Sequence, residues 1–355
     1  MFSDLGARFP GVPVEHRSVP ERHVVQRIGG MDRAVAQPVT FTPFASARPC
    51  SARCVFCSET LRHVDASRLS ASLRPASDYH DGLRTALADL RGLPLGVSLS
   101  GLEATDDPDW LEATVAALTD HAHAGGILTE RVLYSNTAGL SRETHGARLI
   151  PLLRDFGLDR IEVSRHHFEA GPNGAIMRFR RGQAVADQNV FEETVKEASS
   201  AMHVRLVCVI QKAGIADAAA VHGYLDWAHR TLGVTDVVFR ELSRLPADEY
   251  RPNTTYRTIE RDRVPIEHLV DAVWPVGADP VGEFTPSRGT AGYYYRNVVL
   301  RWRNTVEVTF ETSDYAVMKD AHHSDVVYKL IYHANGNLCA DWDPETAVLL
   351  RTGAR

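Results

Sequence analysis

The sequence lacks most of the features that would place it at once in a specialised class. No apolar run approaches the roughly 20 residues needed to span a bilayer, and no apolar segment follows a basic start at the N-terminus. A membrane-bound or secreted protein is therefore not expected, and the cytoplasm is the expected location. An excess of positive charge is also missing. The formal net charge is −6 and the pI about 6.2, so nothing attracts phosphate backbones in general and bulk nucleic acid is not an expected partner. Cysteine is scarce, at five in 355 residues. That argues against a disulfide-stapled scaffold, and a chain of this length with 44% hydrophobic residues can bury one large core without staples.

The few cysteines are unevenly spread. Three lie in Cys50-Ser51-Ala52-Arg53-Cys54-Val55-Phe56-Cys57, separated by three and then two residues, whereas Cys208 and Cys339 stand alone. Thiolates bind the iron of iron–sulfur clusters, and close spacing lets one loop supply several ligands. Three ligands leave one iron of a four-iron cluster open. A zinc site normally takes four ligands, often as two separated pairs. A non-catalytic iron–sulfur or zinc protein stands as an alternative.

Along the chain, residues 1–36 are rich in Pro, Gly, Arg and His without clear periodicity and read as a leader packed on the core. Residues 37–245 alternate strand-like and helix-like stretches. Strands are expected at Pro38–Thr42, Gly96–Ser100, Arg131–Ser135, Asp159–Ser164, His203–Ile210 and Thr235–Arg240. Helices are expected at Asp78–Leu90, Asp107–His123, Glu143–Phe156, Asp187–Met202 and Ala216–Leu232. Six alternations imply a parallel sheet with helices on its outer face. That outer face must be apolar, so Val97, Leu99, Ile161, Val163 and Cys208 are expected to point outward, and Ser98, Glu162 and Arg205 into the lumen. Residues 246–355 break the pattern. Arg251–Arg263 and Asp279–Arg288 read as loops, Pro265–Trp274 as a short helix, and Tyr293–Trp302, Thr305–Thr312 and Val326–His333 as strands. A hairpin is expected from Tyr328 to Trp342 about Asn335-Gly336-Asn337. The tail reads as a small α+β C-terminal extension that caps the site.

The CxxxCxxC loop, with Phe56 just before its last cysteine and a strand just before it, resembles that of the radical S-adenosylmethionine (SAM) enzymes. The resemblance implies an α/β fold, the partial (β/α)6 barrel of that superfamily. It further implies a [4Fe-4S] cluster held by Cys50, Cys54 and Cys57, SAM chelated at the open iron, and reductive cleavage of SAM to methionine and a 5′-deoxyadenosyl radical. An electron donor such as flavodoxin or ferredoxin would be the protein partner. Ser98-Leu99-Ser100-Gly101-Leu102-Glu103 resembles the family's Gly-Gly-Glu-Pro motif, with Ser100 in place of the first glycine and Ala104 in place of the proline. It implies SAM contacts from Ser100, Gly101 and Glu103, the acidic side chain receiving the SAM ammonium. By position, Ser135, Asn136, Ser164 and Arg165 are the expected contacts to the SAM ribose and carboxylate.

Basic residues follow several strands: Arg165-His166-His167 leads through a Gly- and Asn-containing loop to Arg178, Lys212 follows the fifth strand, and Arg240-Glu241 the sixth. Converging at a barrel mouth, they would suit a phosphate, nucleotide or carboxylate. In the tail, His323 is a candidate substrate contact, and His322, His323, Asp325 and His333 form a candidate metal group. Cys339 is a candidate catalytic hydrogen-atom donor. One cysteine in the tail is too few for the extra clusters of peptide-modifying relatives. The expected activity is therefore hydrogen abstraction from a small anionic metabolite, a nucleotide, nucleoside or sugar in specialised or antibiotic biosynthesis, with modification of a peptide or protein as the alternative.

Overall fold

The computed structural model describes residues 8–61, 74–246, 248–275 and 283–353. Its opening strands are β1 (Val14–His16), β2 (Val24–Ile28) and β3 (Met31–Pro43). The alternating region follows as α1 (Tyr79–Asp89), β4 (Leu95–Leu99), α2 (Pro108–His123), β5 (Leu128–Ser135), α3 (Gly146–Asp155), β6 (Arg160–Ser164), α4 (Ala170–Met177), α5 (Gln188–Ala201), β7 (Val204–Ile210), α6 (Ala218–Trp227) and β8 (Asp236–Glu241). The tail carries α7 (Thr254–Asp262), α8 (Ile266–Val273), β9 (Phe284–Ala291), β10 (Tyr295–Trp302), β11 (Val306–Ser313), α9 (Tyr315–His322), β12 (Val326–Tyr332), β13 (Asn337–Cys339) and β14 (Val348–Arg351).

Strands β3 to β8 lie side by side in chain order and all run parallel, which is the six-strand α/β unit that the alternation predicts. The tail adds parallel strands at both edges, β11 beside β8 and β12 beside β3. Eight strands thus run parallel. Beyond them, β10, β9 and β1 continue one edge and β13 and β14 the other. The two sides meet where Tyr293, in the β9–β10 turn, stacks on Tyr328 of β12 with ring centroids 4.7 Å apart.

Side-chain alternation sorts the two faces. Val97, Leu99, Ile161, Val163, Leu206, Cys208 and Ile210 are buried in the main core, while Glu162 and Arg205 form an ion pair on the other face. Helices start where short polar side chains take the free amides of the first turn. Asp107 accepts the Trp110 N–H at 3.4 Å ahead of Pro108, and Asp187 accepts the Asn189 N–H at 2.9 Å.

Several segments differ from their sequence reading, among them α9 and β14, where no element was expected. The leader supplies β1 and β2, and β3 begins at Met31 instead of Pro38, since Val35 and Ala36 join the buried face. The stretch expected as a loop at Arg251–Arg263 contains α7, whose Asn253 cap accepts the Tyr256 N–H at 2.9 Å; its many exposed polar residues hid a narrow apolar stripe. Of the expected Asp279–Arg288 loop, residues 279–282 lie outside the described residues, and from Phe284 the chain is strand β9. The loop after β6 holds α4 despite Gly171, Pro172 and Gly174.

Phe239 of β8 and Phe310 of β11 stack at 5.5 Å in the core, binding tail to barrel. Phe310→Ala is expected to destabilise the whole chain by about 3–5 kcal/mol, with barrel and tail unfolding in one transition by circular dichroism. A tail that melts separately, leaving the barrel signal unchanged, contradicts this integration.

Candidate functional site

The cysteine loop leaves the carboxyl end of β3 and is held from two sides. On one side it docks on the end of α4 and the residues after it. Val55 N–H donates to the Ile176 carbonyl at 3.0 Å, Arg53 N–H to Met177 at 3.0 Å and Arg178 at 3.2 Å, and Arg180 N–H to Ser51 at 2.8 Å. The Arg180 side chain adds a bond from Nε to the Cys50 carbonyl at 2.7 Å. On the other side, Asp106 Oδ2 accepts the Ser51 N–H at 2.6 Å. Asn136 Nδ2 donates to Ser51 Oγ at 2.9 Å and lies 3.7 Å from Cys50 Sγ. Phe56 meets the buried His166 edge-on at 4.9 Å. Burial pushes the His166 pKa down to about 3, and the neutral ring accepts the Val209 N–H on Nδ1 at 3.0 Å.

Glu103 organises the second side. Its buried carboxylate takes Ser135 Oγ–H at 2.8 Å, Thr105 Oγ1–H at 2.6 Å and Thr105 N–H at 3.3 Å on Oε1, and Asn136 N–H at 2.5 Å on Oε2. Burial, with the nearby Asp106 carboxylate, pushes its pKa up to about 7 against the pull of these donors. The loops after β4 and β5 are in close contact here: a Cβ on Gly139 would lie 1.9 Å from the Thr105 carbonyl oxygen. Of the expected SAM contacts, Ser100 and Gly101 line a cavity, and Gly101 has the positive φ of +106° that favours glycine. Ser135 and Asn136 belong to the Glu103 network, while Ser164 is half-buried at the end of β6.

Iron–sulfur chemistry suits this donor set. Burial pushes the Cys50 pKa up to about 12 and the Cys57 pKa up to about 11, and it raises Cys54 further, with Cys57 and Cys50 as the next causes. Thiols in such a place stay protonated until a metal replaces the proton. Among the described residues no three His, Cys, Asp or Glu side chains converge to hold one metal ion. Each thiolate of a four-iron cluster takes its own iron. The candidate tail metal group is not assembled either: His323 is exposed, and the buried His322 lies between Asp341 at 3.2 Å and Tyr293 at 3.1 Å.

The expected rim of basic residues does not converge. Arg165 turns into the helix layer, with Nε donating to the His167 carbonyl at 2.9 Å and its guanidinium 4.4 Å from the Phe191 ring centroid. His167 stacks on Phe168 at 4.4 Å. Arg178 caps α4 in the left-handed region with its side chain exposed. Lys212 reaches the Arg261 carbonyl at 2.7 Å, and the buried Glu241 pairs with Arg263 at 2.8 Å. Arg240 is neutralised inside the barrel, 2.6 Å from Glu311 and 3.8 Å from Glu162. Glu162 also meets Arg160 at 3.0 Å and Arg205 at 3.5 Å, and these cations hold its carboxyl below the usual range despite burial. Cys339 is buried with its thiol toward the Pro344 carbonyl, 3.6 Å away.

A small cleft opens beside the cysteine loop between barrel and tail, lined by Thr42, Glu59, Ser100, Gly101, His333 and Trp342 among others. Asp106, Arg180 and Trp342 were not singled out from the sequence as individual site residues. Asp106 read only as an acidic neighbour of a helix start, Arg180 as one charge in a basic run, and Trp342 as the end of a hairpin and one member, with Lys329, of a tail cluster expected to cap the substrate.

No protein-family model matches the sequence, and no curated protein sequence matches it. Among solved structures, the chain is similar to Streptococcus suis SuiB bound to the precursor peptide SuiA, at 14% identity and a TM-score of 0.48 over 86% of this chain and 59% of SuiB. It is also similar to coproporphyrinogen III oxidase (HemN) from Escherichia coli, a radical SAM enzyme, at 12% identity and a TM-score of 0.42 over 84% of this chain and 66% of HemN. A third is anSMEcpe with bound AdoMet, at 11% identity and a TM-score of 0.39 over 57% of this chain and 50% of that one. The chain thus spans only half to two thirds of these proteins, and the likeness is loose. The functional reading rests on the site itself.

Two substitutions separate the network at Glu103 from the charges in the lumen. Glu103→Leu leaves buried donors without an acceptor and is expected to cost about 1–3 kcal/mol for the network and to weaken SAM binding, measured by denaturant unfolding and equilibrium dialysis. Arg240→Ala is expected to cost about 3 kcal/mol and to leave SAM binding intact, because it strands Glu311 away from the cysteine loop while Glu162 keeps Arg160 and Arg205.

Proposed function

We propose that the protein is a radical SAM enzyme that binds a [4Fe-4S] cluster through Cys50, Cys54 and Cys57 and takes hydrogen from a small metabolite, a nucleotide, nucleoside or sugar. The observation that carries this reading is the placement of three thiols on one loop at the carboxyl end of the first barrel strand, joined through Asn136 to the Glu103 turn. When bound, the cluster supplies an electron for cleavage of SAM, delivered to it by a donor protein of the flavodoxin or ferredoxin kind.

The chain's own residues have separate tasks. Cys50, Cys54 and Cys57 are the ligands, and Arg180, Asp106 and α4 hold their loop in shape. The Ser100–Gly101 turn, its backbone open to the cavity, receives the methionine end of SAM. Glu103 acts mainly by fixing Ser135 and Asn136, since its carboxylate already accepts four donors. The segment from residue 246 onward serves as the substrate cap: Ile331, His333 and Trp342 wall the cavity opposite the β4 turn and shield a reactive radical from solvent. Cys208 is buried in the core, and Cys339 faces Pro344. Neither cysteine belongs to the cluster loop, so one cluster is the expected content.

Anaerobic reconstitution with iron and sulfide, followed by dithionite and SAM, is expected to release 5′-deoxyadenosine. Cys54→Ala is expected to abolish both the absorbance near 400 nm typical of such clusters and the release, lowering it by roughly 100-fold or more. A fully loaded, reduced protein that leaves SAM intact contradicts the proposed function.

A further inference from the structure

The lumen contains several cations, and those on the barrel strands have anionic partners. Arg160 meets Glu162, Arg205 meets Asp236 at 2.9 Å, and Arg240 meets Glu311. Lys329 is different. It lies on β12 in register with Thr40 of β3, and the next residue, Leu330, is buried in the outer core. Alternation therefore turns Lys329 and Ile331 to the lumen. Its Nζ sits 4.4 Å from the centroid of the Trp342 ring, a cation–π contact. Ile331 and Trp342 both line the cavity beside the cysteine loop. Among the described residues Lys329 has no carboxylate at ion-pair distance and no hydrogen-bond partner. Burial lowers its pKa to about 8, with no charged neighbour contributing. The residue is half-buried, so part of its surface remains accessible.

A lysine inside a protein without a counter-ion is uncommon, and here the aromatic face beneath it compensates only part of its lost hydration. We propose that Lys329, seated on Trp342, is the anion subsite of the lumen and takes the carboxylate or phosphate of the substrate. The assignment rests on the reading that substrate enters this lumen. Register separates the subsite from the place expected for SAM: Thr40 pairs with Gly96, four residues before Ser100, so Lys329 lies deeper in the barrel than the β4 turn. An ammonium there would hold the charged end of a substrate below the rim, leaving its reacting carbon toward the cysteine loop. Anion recognition, expected from the sequence at an arginine-rich rim, is thereby placed on one lysine of the tail.

The test needs no SAM cleavage. Inorganic phosphate and acetate are titrated separately into the full-length protein, with binding read by calorimetry and tryptophan fluorescence. Wild type is expected to bind at least one of them saturably, Lys329→Met to bind it at least tenfold more weakly, and Lys329→Arg to stay within about threefold of wild type. Preference for phosphate points to a phosphorylated substrate and preference for acetate to a carboxylate. Unchanged melting temperature and circular dichroism identify Lys329→Met as folded; if it is not, protection of Lys329 in wild type from acetylation by saturating phosphate or acetate, mapped by peptide mass spectrometry, supplies the same answer. Equal binding by folded Lys329→Met, or no binding or protection in wild type, overturns the proposal. Competitive displacement of the anion by SAM without reductant also overturns it, because it assigns the ammonium to the carboxylate of SAM. Failure of any of these leaves the 5′-deoxyadenosine test standing on its own.

Discussion

The site depends on one buried carboxylate. Glu103 follows β4, and its partners Ser135 and Asn136 lie at the end of β5, so its hydrogen bonds tie two strand ends together. From Asn136 the chain of contacts runs to Ser51 Oγ and the neighbourhood of Cys50 Sγ. Without this tie the cysteine loop would keep its attachments to α4 and to Asp106 but lose its link to the end of β5. A buried polar network of this kind is stable only when every member has a partner. Here the donors are a hydroxyl pair and two backbone amides, which fix the acid from several directions.

Charge in the lumen follows a second constraint. The inward faces of β6, β7, β8 and β11 contribute Arg160, Glu162, Arg205, Asp236, Arg240 and Glu311, three cations and three anions that neutralise one another. Such a network fills the barrel floor and leaves little net field there for a ligand. On the tail side, by contrast, Lys329 rests on an aromatic ring, and among the described residues no carboxylate stands at ion-pair distance from it. On the proposed assignment this asymmetry would place anion recognition on β12, a strand that enters the sheet because the tail pairs with β3.

The sequence made the barrel legible because its strands alternate cleanly. Val97 and Leu99 face the helices with Ser98 between them, and Asp107-Pro108 marks a helix start. The cysteine loop stood out by its spacing, and its reading as a cluster site came from a family resemblance. What could not be read was side-chain direction beyond the strands and pairing between distant segments. Arg165 and Arg240 look alike in a list of basic residues, yet one is held in the helix layer over Phe191 and the other by Glu311, seventy-one residues away. His322 and His323 are adjacent, and only helix phase turns the first inward to Asp341 and leaves the second in solvent. The tail's role as two barrel edges was hidden for the same reason, since parallel partners of β3 and β8 lie in sequence far from both.

The central claim is that three thiolates hold a cluster with one iron left for SAM. Mössbauer spectroscopy of protein reconstituted with ⁵⁷Fe, with and without SAM, tests it most directly. The account requires four irons per chain of which one, a quarter of the signal, changes its isomer shift when SAM is added. Four irons that are unaffected by SAM, or a chain that takes up zinc in preference to iron and sulfide, would contradict it.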